Sequence, residues 1–299
     1  MSTRRTAGTN SLELAEQMVG HKVSATDQKH GRKIDADASV ALELKNVAVI
    51  NRKSVRLRGI NLKVRSGEIL GICGVEGNGQ TELIEAVTGL TPLAEGEVFV
   101  NGKPAGKAGP RRMLDLGVAH IPEDRSVSGL IRSFPIAANI VLGYHRRPQF
   151  LNGKFLDWKA IGNYAEQRAF DFDIRTGDVS SPVSSLSGGN QQKVVIARSL
   201  SQDPDIIVAA QPTRGIDVGA VEYIHGKLLE MRDAGKAVLL VSTELDELLS
   251  LSDTIAVIYE GAIAAVDAAD RFDERRLSLL MTGLDAEKGK PEHETIFSR

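Results

Sequence analysis

A glycine-rich turn at residues 74–81, GVEGNGQT, is the first stretch of the sequence whose residue types point to chemistry. Its spacing matches the phosphate-binding loop G-x-x-x-x-G-K-[ST], in which backbone N–H groups and the start of a helix surround phosphate oxygens. The lysine of that pattern is replaced by the uncharged Gln80, and the hydroxyl of Thr81 is placed to meet Mg²⁺. A turn that binds nothing is the alternative. The residues predicted to bind phosphate are Gly74, Gly77, Asn78, Gly79, Gln80 and Thr81.

A second motif, LSGGNQQK, occupies residues 186–193. Its glycines open a predicted helix that runs to about Leu200, and the free N–H groups at a helix start favour anions. A serine hydroxyl beside them adds another donor. The motif therefore predicts a second phosphate site, formed by Ser187, Gly188, Gly189 and Gln191.

A third motif, IIVAAQPTRGID, occupies residues 206–217 and reads as a buried strand that ends in a polar segment. Ala210 and Gln211 stand at the end of the strand, and Asp217 closes the segment. Neither of the first two side chains can act as an anion or a base at neutral pH.

The elements around these motifs alternate between strand and helix. Short apolar runs recur, at 69–73, 117–121, 206–209, 237–241 and 254–259, with helical spacing before or after most of them. This pattern predicts an α/β fold with a largely parallel sheet covered by helices. Residues from about 123 to 200 carry mostly helical signals and are interpreted as a helical subdomain inserted between strands.

The predicted domain covers residues 40–285, after a polar stretch that reads as a linker and before a flexible tail at 286–299. The spacing L-x-x-x-M-x-G occurs twice, at 14–20 and at 277–283. The repeat indicates that residues 1–39 contain the tail of a preceding, similar domain followed by a linker, and chance is the alternative.

Composition excludes several classes of protein. The net charge is −2, with both signs spread along the chain, so nucleic acid is not an expected partner. One cysteine excludes a disulfide framework. The six histidines lack metal-ligand spacing, and the apolar runs are too short to span a bilayer.

The three motifs, in this order, resemble those of ATP-binding cassette (ABC) transporter ATPases, over residues 40–283. The similarity is greatest to the C-terminal half of the tandem ATPases that energise bacterial uptake of simple sugars and nucleosides, through PEDR at 122–125 and STEL at 242–245. The string AAQPTRG at 209–215 resembles the nucleoside-importing branch. The resemblance implies an ABC-type P-loop NTPase fold, with an antiparallel N-terminal β part, and implies ATP and Mg²⁺ as ligands.

The resemblance also implies that the chain's own ATP site is degenerate. The family's third motif supplies an aspartate that holds Mg²⁺ and a glutamate that polarises water, at the positions of Ala210 and Gln211. The family's γ-phosphate-sensing histidine falls at Thr243, and its Q-loop glutamine falls near Pro122. No aromatic residue between positions 40 and 67 offers an adenine platform. Loss of a general base alone typically costs ~10²–10⁴ in rate. We therefore expect impaired hydrolysis and weak binding of ATP and Mg²⁺ at this site.

In the ABC arrangement two domains pack head to tail, and each ATP lies between the phosphate loop of one and the LSGGQ-like turn of the other. The resemblance thus implies that the turn at Ser187 completes the ATP site of a partner domain. A side chain at Gly189 is expected to push into that partner's phosphate. Asp217 is expected at the dimer seam.

The implied partners are a second ABC ATPase domain, upstream in the same polypeptide or on a separate chain, transmembrane permease subunits, and indirectly an extracytoplasmic substrate-binding protein. The expected location is the cytoplasmic face of the plasma membrane, as a peripheral protein. Glu123 and Asp124 are expected in a loop near the permease rather than as an acid–base pair. The alternatives are a soluble tandem ABC protein of translation or DNA repair and a stand-alone regulatory pseudo-ATPase.

Overall fold

The structure is a computed structural model that describes residues 37–51, 54–107 and 109–284. The earlier copy of the repeated spacing, most of the predicted segment 1–39 and the predicted tail 286–299 lie outside these residues. The domain boundaries therefore stay predictions. Within the described ranges, no helix combines the length and the apolar composition needed to cross a membrane.

An antiparallel sheet opens the described chain. Its strands are β1 (Val40–Asn51), β2 (Ser54–Arg65), β4 (Glu95–Val100) and β5 (Lys103–Pro104). They stand in the order β2-β1-β4-β5. Alternate apolar residues, among them Leu42, Leu44 and Leu57, are fully buried against the rest of the domain. The antiparallel N-terminal part of the predicted fold is confirmed.

A six-stranded sheet forms the centre of the molecule. Its strands are β3 (Ile69–Cys73), β6 (Val118–Ile121), β9 (Ile206–Ala210), β10 (Ala237–Val241), β11 (Thr254–Tyr259) and β12 (Ala262–Ala268). Their order is β12-β11-β3-β10-β9-β6, and all neighbours except the β11–β12 pair run parallel. Every residue of β3, β9 and β10 is buried, as expected for a parallel sheet covered on both faces. The predicted α/β class is confirmed.

The described helices pack against the central sheet or against one another. They are α1 (Gln80–Thr88), α2 (Pro110–Asp115), α3 (Ile136–Ile140), α4 (Trp158–Asp171), α5 (Gly188–Leu200), α6 (Val218–Asp233), α7 (Leu245–Leu251) and α8 (Glu274–Met281). Side chains cap several of them, including Ser187 at α5 and Asp217 at α6. These caps satisfy N–H groups that a helix start leaves unpaired.

The segment between β6 and β9 is mainly helical and contains α3, α4 and α5. It also contains a small hairpin of β7 (Leu151–Asn152) and β8 (Phe155–Leu156), which the sequence did not predict. Strands of two residues are too short to produce a recognisable alternation. Phe150 anchors the hairpin, because it is buried and its ring meets that of Tyr164 edge-on at 5.0 Å between centroids.

The sheet order brings the chemical motifs together. β10 lies between β3 and β9, and Val241 at its end pairs with both Ile72 and Ala210. The loops that follow these three parallel strands therefore leave the same edge of the sheet side by side. In open α/β sheets this edge is where ligands bind.

Candidate functional site

The glycine-rich turn joins β3 to α1, as its spacing predicts. Gly77 and Gly79 have φ values of +91° and +113°, which side chains rarely tolerate. A Cβ at Gly79 would lie 2.9 Å from Leu57 Cδ2, and one at Gly74 would lie 2.7 Å from the Ile258 carbonyl oxygen. The turn therefore depends on its glycines to pack closely against β2 and β11.

Asn78 fastens the same turn to the connection between β11 and β12. Its Oδ1 accepts a hydrogen bond from the Glu260 N–H at 3.0 Å. Its backbone oxygen accepts another from the Gly261 N–H at 2.9 Å. The phosphate-binding loop is consequently held by the β11–β12 connection as well as by hydrogen bonds within the loop itself.

Gln80 folds back over the turn that precedes it. Its Nε2 donates to the Val75 carbonyl oxygen at 2.9 Å, and its Oε1 is buried without a hydrogen-bond partner among the described residues. Thr81 is exposed in the first turn of α1. The glycine cradle fits a phosphate group. The fit to Mg²⁺ is poor, because β9 ends in Ala210, whose methyl group adds no oxygen ligand to the Thr81 hydroxyl.

Gln211 and Thr243 meet at the ends of neighbouring strands. Gln211 has a φ of +44°, and its Oε1 accepts from both the N–H and the hydroxyl of Thr243, each at 3.2 Å. Ala210 precedes Gln211 and is 1% exposed. Three of the positions predicted to be degenerate, Ala210, Gln211 and Thr243, thus lie at the ends of adjacent strands, and two of them are hydrogen-bonded to each other.

The second motif forms a turn at residues 186–189, here called the signature turn, which leads into α5. The Ser187 hydroxyl accepts from the Asn190 N–H at 3.4 Å and from Asn190 Nδ2 at 3.0 Å, which caps the helix. The Gln191 side chain points inward and donates to the Leu186 carbonyl oxygen at 2.9 Å. Gln191 therefore supports the turn from inside, although the motif predicted it among the residues that face phosphate. Ser187, Gly188 and Gly189 form the start of the helix itself.

Internal packing explains the glycine at position 189. A Cβ there would lie 2.9 Å from Asp217 Oδ2 and 3.1 Å from the Ala220 Cβ. Asp217 is fixed in place because its Oδ1 accepts from the Ala220 N–H at 3.0 Å. The intolerance expected at Gly189 thus has a cause within this chain, in addition to the predicted contact with a partner's phosphate. Asp217 stands beside the signature turn.

Arg125 and Glu247 also join the motifs. No chemical role was predicted for either residue, although Arg125 is part of the PEDR string at 122–125. Arg125 Nη1 and Nη2 donate to the carbonyl oxygens of Arg214 and Gly215, at 3.2 and 3.3 Å. The buried Glu247 accepts from the Thr213 hydroxyl at 2.8 Å, with His225 Nε2 2.9 Å from the same oxygen. These partners are far apart in sequence, so no local spacing could have revealed them.

Two buried titratable groups lie close to these motifs without offering chemistry to them. Burial raises the pKa of the Cys73 thiol to about 12, so it stays protonated at the end of β3. Burial, and secondly the Arg198 guanidinium, lower the pKa of His120 to about 4. Within the described residues, no group of three His, Cys, Asp or Glu side chains could hold a metal ion.

Comparison with known proteins is consistent with this geometry. The family model described as ABC transporter matches residues 57–214. The chain is 43% identical over 272 residues to the nucleoside import ATP-binding protein NupA of Lactococcus lactis, with 91% of this chain and 53% of that protein covered. It is 45% identical over 277 residues to the guanosine import ATP-binding protein NupO of Bacillus subtilis, with 92% and 54% covered. The chain thus spans about half the length of these curated relatives.

Solved structures share the fold. An ATP-binding cassette of an ABC transporter in its ADP conformation matches with a TM-score of 0.66 at 20% identity, with 84% of this chain and 99% of that chain covered. A nucleotide-free cassette matches with a TM-score of 0.65 at 22% identity, with 81% and 95% covered.

Proposed function

This chain belongs to the ABC transporter family, and from that premise we propose that it is an importer ATPase component whose signature turn serves a partner's ATP. Its own nucleotide site binds ATP weakly and hydrolyses it poorly. The partner is a second ABC ATPase domain, either in the same polypeptide or on another chain. Transport then depends on the partner's intact site, which this chain completes.

The hydrogen bonds between Gln211 and Thr243 carry this proposal. In an active ABC site these positions supply a water-polarising carboxylate and a γ-phosphate sensor. Here an amide oxygen accepts from a threonine instead, and neither group can take a proton from water at neutral pH. The neighbouring Ala210 provides no ligand for Mg²⁺, and Gln80 provides no charge for phosphate.

The signature turn supports the other half of the proposal. Its serine caps a helix of 13 residues, so N–H groups at a positive helix end are held in one orientation. The side chains of Asp217 and Arg125 lie against its glycines, near Gly189 and Gly188 respectively. This chain therefore keeps the parts that face a partner, while it lacks the parts that would turn over its own ATP.

The relatives' names indicate the class of solute. One relative is a nucleoside import protein, another a guanosine import protein, and more distant ones import ribose. We infer that this chain energises uptake of nucleosides or simple sugars, through permease subunits and an extracytoplasmic binding protein. It would then act at the cytoplasmic face of the plasma membrane, as a peripheral subunit.

Substitution of Ser187 tests the division of labour in the assembled transporter. Asp and Asn both cap helices as well as Ser does, so both variants keep α5. Ser187→Asp adds a negative charge against the partner's phosphate, and we expect loss of ATP hydrolysis and uptake. Ser187→Asn is the uncharged control and should retain more activity. Gln80→Ala, in the degenerate site, should leave most activity. Equal damage from Gln80→Ala and Ser187→Asp would overturn the proposal.

A further inference from the structure

Arg125 lies where three functional segments meet. It follows β6 in the Pro122–Arg125 segment, and both ends of its guanidinium donate to the segment after β9, at the carbonyl oxygens of Arg214 and Gly215. The same guanidinium lies against the signature turn, because a Cβ placed at Gly188 would be 2.8 Å from Arg125 Nη2. Because Gly188 has no Cβ, the Arg125 guanidinium has room beside the turn.

The segment around Arg125 is itself held in shape. Asp124 Oδ1 accepts from the N–H groups of Ser126 and Val127, at 2.7 and 3.1 Å, so the chain turns sharply after Arg125. Glu123 forms an ion pair with Arg214, which joins the same two segments at the surface. The guanidinium thus projects from a fixed turn and reaches two others.

We propose that Arg125 is a positioning residue that locks the signature turn to the segment leading to Asp217, so that the two present themselves to a partner as one unit. Arginine suits this role because its rigid planar guanidinium directs separate N–H groups to two carbonyl oxygens, whereas lysine presents one compact ammonium on a flexible stem. The Pro122–Arg125 segment is expected near the permease. A change in the position of that segment would therefore be transmitted through Arg125 to the position of the signature turn. This consequence rests on the proposed function, whereas the lock itself does not.

Hydrogen exchange in the isolated chain tests the lock directly. Arg125→Ala should raise amide exchange about fivefold to tenfold in residues 187–191 and 213–217, since it removes both the hydrogen bonds to Arg214 and Gly215 and the guanidinium that packs against Gly188. Exchange in β3, β9 and β10 should not change. Arg125→Lys should fall between the variant and the wild type. Arg111→Ala is the matched control, because Arg111 also donates to a backbone carbonyl oxygen, that of Gly143 at 2.8 Å. Unchanged exchange in both segments would overturn the proposal.

A double-mutant cycle tests the consequence in the complete transporter. Arg125→Ala, and separately Gly188→Ala, should each lower kcat for ATP hydrolysis about 10- to 100-fold with KM for ATP within about twofold, because the turn is misplaced by about an ångström. In the Arg125→Ala background the added methyl no longer meets the guanidinium, so Gly188→Ala should cost clearly less than it does in the wild type. Multiplicative losses would contradict the lock.

If Ser187→Asp abolishes hydrolysis and Arg125→Ala does not alter kcat, this inference alone fails. If Ser187→Asp has no effect, the proposed function fails instead.

Discussion

The side-chain oxygen of Gln211 accepts two hydrogen bonds from Thr243, one from its N–H and one from its hydroxyl, each at 3.2 Å. The two residues follow adjacent strands, β9 and β10, whose ends pair at Ala210 and Val241. An oxygen occupied in this way is a poor candidate to activate water. These two hydrogen bonds are the structural basis for the proposal that the site is degenerate.

Restoring one carboxylate should therefore not restore hydrolysis. In Gln211→Glu the new carboxylate still accepts from Thr243, while Gln80 and Ala210 leave the phosphates and the metal unsupported. Because residues of a catalytic set act as a unit, we expect phosphate release by the purified variant to stay within about twofold of wild type. Both should remain far below ~1 s⁻¹, a typical enzyme rate. A tenfold gain from this single change would show that the other losses matter little.

Charge at position 80 should govern nucleotide affinity. Gln80→Lys replaces the bond to the Val75 carbonyl oxygen with an ammonium directed at phosphate, and hydrogen bonds to charged groups contribute about 1.5–3 kcal/mol. We expect ATP affinity, measured by calorimetric titration, to rise about 10- to 100-fold. Gln80→Met has similar length and no charge, so it should bind no better than wild type. Identical affinities for the lysine and methionine variants would argue against phosphate binding at this loop.

The buried Glu247 should matter for stability. Glu247→Ala removes the acceptor of the Thr213 hydroxyl and the neighbour of His225, and groups left unsatisfied in this way cost about 1–3 kcal/mol. Urea unfolding should show that decrease in the free energy of unfolding, and Glu247→Gln should show less. Glu230→Ala, on the exposed side of α6, is the control and should change stability by no more than about 0.5 kcal/mol. Similar values for Glu247→Ala and Glu230→Ala would contradict this account.

His120 should contribute to acid sensitivity. Its pKa falls from an ordinary 6.5 to about 4 in the folded chain, so the folded state prefers the neutral ring. Above pH 6.5 the ring is neutral in both the folded and the unfolded chain, so His120 does not reduce stability. As the pH falls from 6.5 to about 4, the unfolded chain binds a proton that the folded chain does not, and the free energy of unfolding decreases by up to ~1.4 kcal/mol per pH unit. The loss of Tm across this range should be smaller in His120→Gln than in wild type. Parallel curves for His120→Gln and the wild type would refute the assignment.

The sequence was sufficient for the class of fold and for the three motifs, because strand runs, glycine spacing and helix starts are local signals. It placed Gln80, Gln211 and Thr243 in one degenerate site through family resemblance, and the parallel order β3, β10, β9 brings them to one edge. It could not predict that Gln211 bonds Thr243, that Gln191 turns inward, or that Arg125 reaches Gly215. The contacts of Gln211 and Arg125 join segments that are 32 and 90 residues apart, and such separations leave no periodic pattern. The contact of Gln191 with Leu186 is local, but the spacing does not say which way the side chain turns.

The strand order also has a consequence for how the chain is made. β3 precedes the phosphate-binding loop, yet its neighbours in the sheet are β10 and β11, which end at Val241 and Tyr259. A ribosome therefore synthesises most of this domain before β3 can pair with either neighbour. Until then an entirely apolar strand is exposed with both edges open, a state that favours aggregation. Pairing over such distances in sequence is slow. A fragment that stops after β9 would contain both the glycine-rich turn and the signature turn. It would lack Glu260 and Gly261, which hydrogen-bond the first, and Gly215 and Asp217, which lie beside the second.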